Sequence, residues 1–168
     1  RNVSDEVQIR AFEMLSDKKY VTCANCIIGM PDENRELIFD TIRFVRKLPK
    51  NIDATGAYVF APYHGTPLRD LAIKKGYMKE EDIVSLSISA GGQSMLNMPQ
   101  LPKEEISGLA RTFAYYVKFP ESRWGEIKKA EKFTPEGNEM HEILGKEYDK
   151  KYRLTPKNLK SDGLDLHD

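Results

Sequence analysis

Two apolar runs constrain this chain more than anything else in it, because each leaves through a proline-bearing turn into a helix-patterned segment. The first, Tyr20 to Met30, is rich in β-branched residues and too apolar to alternate, which predicts a strand buried on both faces. The second is Ala54 to Pro62. Between them Pro31-Asp32-Glu33-Asn34 gives a turn and a helix start, followed by Leu37, Ile38, Thr41, Ile42, Val45 and Leu48 on one stripe. Pro49 and Asn51 end that helix. After the second run Thr66 is an N-cap and Pro67 the first residue of a short helix stopping at Gly76. Ahead of both runs, Ser4 to about Asp17 carries Val7, Ala11, Met14 and Leu15 at helical spacing, with Ser4 as N-cap and Asp5 and Glu6 in the first turn. Helix, strand, helix, strand, helix with short connections predicts an α/β fold of parallel strands, whose right-handed crossovers build an open doubly wound sheet or a barrel.

Beyond Gly76 the pattern changes. Ser85 to Gln100 is rich in Ser, Gly and Met without a period, as in a long loop or an irregular strand. Helical stretches follow at Lys103 to about Lys118, about Glu121 to Lys132, and about Pro135 to Tyr152, and Ile106, Leu109, Ala110, Phe113 and Val117 form an apolar stripe on the first. Residues 154–168 are polar, contain Pro156 and Gly163, and read as a loose tail. The organisation expected is a β/α part over 1–84, a linker with helical extension over 85–153, and the tail over 154–168.

With 26 basic against 26 acidic residues there is no net field to draw the chain to a nucleic acid or an anionic membrane. Its longest apolar runs fall far short of the roughly 20 residues that span a bilayer, so a soluble, cytoplasmic protein is expected. The 168 residues suffice for one ordinary domain. A start at Arg1 with helical pattern almost at once reads as a segment cut from a longer chain. Cys23 and Cys26 make a lone CxxC within the first run. Residues three apart on a strand face opposite sides, and His64, His141 and His167 lie far off, so the expectation is two half-buried thiols and no metal site.

In parallel β/α architectures ligands meet the carboxyl ends of the strands. Here those exits are Ile28-Gly29-Met30-Pro31-Asp32-Glu33-Asn34 and Phe60-Ala61-Pro62-Tyr63-His64-Gly65-Thr66-Pro67. Gly29 and Gly65 could admit a ligand to the backbone or simply permit tight turns. Neither exit holds a phosphate-loop or dinucleotide fingerprint.

The stretch Thr22 to Glu36 resembles the "IIGLPGET" strand, turn and helix of radical S-adenosylmethionine (SAM) enzymes, and Phe60 to Leu68 is similar to their next strand exit, F-x-P-x-x-G-T-P-L. Order, spacing and intervening helix agree. Within that superfamily the chain is most similar to the cobalamin-binding-domain-containing proteins, over about Arg1 to Gly76. The resemblance implies the C-terminal half of a partial, TIM-like (β/α) barrel followed by a helical extension. It also implies SAM and a 4Fe-4S cluster as cofactors of a full-length enzyme, with cobalamin as a further candidate. The cluster motif CxxxCxxC is absent here, and Cys23 and Cys26 sit on a later strand, so this segment alone should be inactive. The implied partners are the N-terminal barrel half, a cobalamin-binding domain and a small-molecule substrate, with self-association through an open strand edge.

Carried over by position, Asn25 stands where relatives bind the SAM ribose, and its amide can donate to and accept from a diol. Ile28 and Gly29 supply the first exit, while Phe60, Ala61 and Pro62 stand where relatives line the adenine. No residue is assigned a catalytic role. Glu33 and Asn34 replace the family's Glu-Thr and are expected to stabilise the helix start. His64 reads as a solvent-facing loop residue. Tyr115, Tyr116, Phe119, Trp124 and Phe133 read as core or interface, with an aromatic substrate pocket as the alternative. Two rivals stay open: a non-catalytic interaction module and a stand-alone phosphate-binding β/α protein.

Overall fold

A computed structural model describes residues 3–16, 22–53, 56–84 and 93–153. Its elements run α1 (Asp5–Ser16), β1 (Thr22–Cys23), β2 (Cys26–Ile28), α2 (Arg35–Arg46), β3 (Ile52–Asp53), β4 (Ala57–Val59) and α3 (Pro67–Lys74), then α4 (Lys103–Lys118), a 3-10 turn (Glu121–Arg123), α5 (Trp124–Ala130) and α6 (Pro135–Lys151). The fold is mixed α/β, mostly helical, with two short parallel two-stranded sheets among the described residues.

The first expected strand is present as two fragments, β1 and β2, whereas among the described residues the second forms over Ala57–Val59, with β3 lying ahead of the expected span. β1 pairs with β3 (Thr22 with Ile52, Cys23 with Asp53), and β2 pairs with β4 (Cys26 with Ala57, Ile28 with Val59). The pairing offset is 30 residues in the first ladder and 31 in the second, so one more residue lies between β3 and β4 than between β1 and β2. An odd insertion of this kind interrupts a ladder and resets which side chains face inward.

The expectation of burial on both faces is corrected. Ile28 and Val59 are buried, whereas Ile27 and Tyr58, register partners, are 51% and 60% exposed. The sheet therefore packs one face on the core and leaves the other uncovered among the described residues, in the half-solvated manner usual for antiparallel sheets.

Helix α2 begins where Asn34, in extended conformation, accepts the Leu37 N–H on its side-chain oxygen at 3.0 Å. It buries Ile38, Phe39, Ile42 and Val45, each contributing roughly 1.5–3 kcal/mol of transfer free energy. Leu37, expected on that stripe, is exposed, and Phe39, outside it, takes the inward place. Helix α4 is buried nearly all round, with Ile106, Leu109, Phe113, Tyr116 and Val117 in the same core as Ile28 and Val59. Its C-terminus is held by Arg46, whose Nη1 donates to the carbonyls of Tyr116 (2.7 Å), Val117 (2.9 Å) and Phe119 (2.8 Å). One core thus draws on residues from both sides of position 85.

α1 forms as expected, but its stripe is corrected. Val7 and Met14 are 59% and 65% exposed, Leu15 is exposed too, and Ile9 and Phe12 pack on the core instead. Three-residue spacing exists on both faces of this helix, and tertiary contact selects between them.

The aromatics of the C-terminal helices are core. Phe39, Tyr116 and Trp124 form a mutual edge-to-face triangle with centroids 5.0, 5.2 and 5.5 Å apart, and Tyr115 packs on Phe119 and Tyr148. Phe133 is the exception, exposed beneath the Arg111 guanidinium at 4.5 Å. The second half of the Ser85–Gln100 stretch enters the core through Leu96 and Met98, while residues 85–92 and the tail at 154–168 lie outside the described residues. No helix among the described residues is long and apolar enough to cross a membrane.

Candidate functional site

The two strand exits lie side by side and run parallel. The ladder continues one step past β2, where the Phe60 N–H donates to the Ile28 carbonyl at 2.8 Å, so Phe60, Ala61 and Pro62 leave the sheet next to Gly29. Asn25, exposed, stands just ahead of β2. Five of the six residues expected at a ligand wall, Ile28, Gly29, Phe60, Ala61 and Pro62, thus cluster at the exit end of a parallel pair, whereas Asn25 stands at the entry end of β2.

Their side chains are not equally available. Ile28 is fully buried, and Pro62 and Gly29 are buried with it, so a ligand could meet Ile28 and Gly29 only through backbone. Phe60 and Ala61 are half-buried. The uncovered surface beside them is made by Ile27 and Tyr58, which strand alternation places opposite Ile28 and Val59 and which the sequence reading missed.

Gly29 is required by packing. Its φ is +81°, and a Cβ there would meet Ile106 Cγ2 at 3.2 Å. The glycine therefore lets α4 approach the exit, a reason distinct from ligand access. The N–H groups of Gly29 and Met30 both donate to Glu33 Oε2, the second at 3.1 Å. Glu33 was expected to stabilise the helix start, but Asn34 caps the helix and Glu33 closes the preceding turn. Burial raises the Glu33 pKa, and the two N–H donors offset part of that rise. The donors that a strand exit could offer to an anionic ligand are thus occupied by a side chain of this protein.

Asp32 is the second position that the sequence reading missed. Its φ is +68°, the left-handed region, at the place where the "IIGLPGET" motif carries its second glycine. That glycine was the available signal. Asp32 is held by the Lys75 ammonium at 2.6 Å and accepts the Tyr77 hydroxyl at 2.8 Å, which ties the first exit to the end of α3. The Lys75 hydrogen bond, then that of Tyr77, lowers its pKa.

At the second exit the Tyr63 N–H donates to Ala61 O at 3.0 Å, and the Thr66 hydroxyl donates to Tyr63 O at 2.7 Å. Arg69 in α3 is 2% exposed and donates from Nη1 to Pro62 O at 3.1 Å and from Nη2 to Glu80 O and Asp82 O, both at 2.8 Å. His64 is exposed on the loop.

Cys23 is exposed, which corrects the expectation of two half-buried thiols. Cys26 is half-buried, and burial pushes its thiol pKa up, away from the reactive thiolate. Among the described residues no group of three or more His, Cys, Asp or Glu is placed to hold a metal ion.

Cavities lie elsewhere among the described residues. One of about 810 Å³ is bordered by Met78, Lys79, Asp82, Asn97, Lys103 and Phe133, and none of the six wall residues lines it. Another, of about 650 Å³, opens at the start of α2 over Phe39, Tyr116 and Trp124. Its rim carries Arg35, whose guanidinium forks onto Glu131 (2.9 and 2.6 Å) and reaches Glu105 at 2.9 Å, while the Tyr116 hydroxyl donates to Glu131. Burial opposes the Arg35 charge, but these carboxylates more than compensate, and its pKa lies above the ordinary value.

Chemically, the strand-exit cluster can bind and orient a ligand. Phe60 and Ala61 offer apolar surface there and the backbone offers edges, while Asn25 offers an amide donor and acceptor from the entry end of β2. The six residues contain no nucleophile, acid or base. No protein-family model, no curated protein and no solved structure matches this chain.

Proposed function

We propose that this chain supplies one wall of the nucleoside pocket of a radical SAM enzyme, as the C-terminal part of a partial (β/α) barrel with a helical extension. One observation carries the reading: the exits at Ile28–Gly29 and Phe60–Pro62 are parallel neighbours, joined by the hydrogen bond from Phe60 N–H to Ile28 O at 2.8 Å. Two motifs some thirty residues apart in sequence then act on one ligand, in the arrangement typical of α/β sites.

In this reading Asn25 holds the ribose diol, and Phe60 and Ala61 cover the adenine. Ile28 and Gly29 contribute backbone alone. The anionic end of SAM must be met elsewhere, because Glu33 occupies the N–H groups of the first exit. SAM bound to a 4Fe-4S cluster would supply the radical chemistry, and the residues of this chain would bind and orient its nucleoside. Cluster ligands, a cobalamin domain and the remaining strands belong to a partner segment in a cytoplasmic enzyme. The uncovered Ile27–Tyr58 face fits a barrel interior that such a segment completes.

The direct test is an amide NMR titration of the chain with SAM and with adenosine. Expected are shifts at the Asn25 side chain, Gly29, Phe60 and Ala61. Shifts confined to other residues, or none at millimolar nucleoside, would remove the reading. In a full-length enzyme Asn25→Ala should weaken SAM binding by about 1–3 kcal/mol, as for a lost buried polar partner.

A second reading, a non-catalytic protein-interaction module, is favoured by the apolar side chains left uncovered on α1 and on the sheet, Val7, Met14, Ile27 and Tyr58. It predicts association in light scattering without any nucleoside response.

A further inference from the structure

Arg69 is the one buried cation among the described residues, it donates to the main-chain carbonyls of Pro62, Glu80 and Asp82, and its placement bears on the wall just described. Taking a guanidinium out of water is costly unless its donors are used. Here they are used on two separate stretches of backbone, Pro62 at the second strand exit and Glu80 and Asp82 in the turn after α3. That turn has its own internal tie, because the Lys79 N–H donates to Asp82 Oδ2 at 2.8 Å. Lys79 and Asp82 also border the cavity of about 810 Å³.

The guanidinium is planar, with its donors in a fixed fork. It cannot follow the turn and keep Pro62 O unless the two move together. A lysine, with a single rotating ammonium, could satisfy one stretch but would not fix the distance between them. We infer that Arg69 is a positioning residue: it sets the Phe60–Pro62 wall by tying the Pro62 carbonyl to the 80–82 turn, so that disturbance of the turn loosens the strand exit. The consequence for nucleoside binding rests on the function proposed above, whereas the coupling itself does not.

The test compares wild type, Arg69→Lys, Arg69→Met and Asp82→Ala in the 168-residue chain. Amide hydrogen exchange is read at Phe60 and Tyr63, whose N–H groups bond at the exit, and at Ile38 and Ile42 as internal controls in α2. Expected is at least tenfold faster exchange at Phe60 and Tyr63 in both Arg69 variants, with Ile38 and Ile42 unchanged, so that a global loss of stability is not the cause. Asp82→Ala leaves Arg69 in place and frees the turn, and it should produce the same local effect even if the Arg69 variants fail to fold. Unchanged exchange at Phe60 and Tyr63 in Asp82→Ala would overturn the coupling. An adenosine titration of the same proteins should show roughly tenfold weaker binding in the variants. No adenosine response in wild type, with the exchange effect present, would remove the nucleoside reading and leave the positioning role standing.

Discussion

Arg35 and Glu131, 96 residues apart in sequence, meet fork to fork, Nη1 to Oε2 at 2.9 Å and Nη2 to Oε1 at 2.6 Å. This contact joins the first turn of α2 to the residue that follows α5, and it brings Glu105 of α4 to the same guanidinium. Gly108 makes the approach feasible, because a Cβ there would lie 2.6 Å from the Glu131 carbonyl.

Removing one partner should hurt more than removing the group. Arg35→Met leaves Glu131 buried with only the Tyr116 hydroxyl, and the expected loss is about 3 kcal/mol in denaturant unfolding. Arg35→Met combined with Glu131→Leu and Tyr116→Phe should recover most of it, since the buried members are then all apolar and Glu105, the one carboxylate left without Arg35, reaches solvent. A triple variant no more stable than Arg35→Met would contradict this account.

At the first exit, Gly29→Ala should cost about 1–3 kcal/mol for left-handed backbone, and more if Ile106 cannot move. Ile106→Val in the same chain should return a part of that loss, because it removes Ile106 Cδ1, 3.4 Å from the new methyl, while Cγ2 stays. Thermal melts of the two single variants and the double variant decide it through their non-additivity.

Asp32 gives a prediction that ranks two small residues. Asp32→Ala keeps the unfavourable φ and loses the contacts with Lys75 and Tyr77, whereas Asp32→Gly loses the contacts but relieves the backbone. The glycine variant should therefore melt higher than the alanine variant. The contribution of the aspartate also has a pH window. Its folded pKa is depressed below the ordinary 3.8, so its stabilisation is present above that value and is lost as pH falls through the folded pKa. A difference between wild type and Asp32→Asn that persisted at the acid end would contradict that assignment.

His141 lies on α6 with its Nε2 3.3 Å from the Tyr115 hydroxyl and from the Arg111 carbonyl. Burial lowers its pKa below the ordinary 6.5, and the Arg111 charge adds to the shift. The unfolded chain then takes up a proton at a higher pH than the folded one. Stability should be constant above pH 7, fall as pH drops through 6.5, and level off once the folded imidazole is also protonated. His141→Gln should flatten that segment of the curve, as measured by denaturant midpoints at closely spaced pH values.

The helical parts of this fold were legible because their signals are local. Asn34 and Pro67 mark helix starts, and Ile106, Leu109, Phe113 and Val117 keep a period that no neighbour overrides. The faces were less legible. Leu37 and Phe39 are equally apolar in sequence, and only the position of Tyr116 and Trp124 turns the second inward. The pairing of the two exits followed from β/α connectivity, but the role of Glu33 did not. Whether a carboxylate caps a helix or closes the turn before it depends on a left-handed residue upstream, and the Asp32 backbone carries no such label in its side chain. Arg69 was invisible for a related reason, since its partners are carbonyls, which every residue has.

The unequal offsets of the two ladders, 30 and 31, work like a frame shift written in space. Below the step Ile52 and Asp53 are both turned away from solvent; above it Val59 goes inward while Tyr58 looks out. Deleting a single residue between Asp53 and Ala57 would bring both ladders to one count while leaving Val59 opposite Ile28 and Tyr58 opposite Ile27, so the inward and outward places of β4 would be kept and the step between the ladders removed. One supernumerary position thus marks where the two ladders part, while the β2–β4 register itself carries the chemistry this sheet shows to the outside.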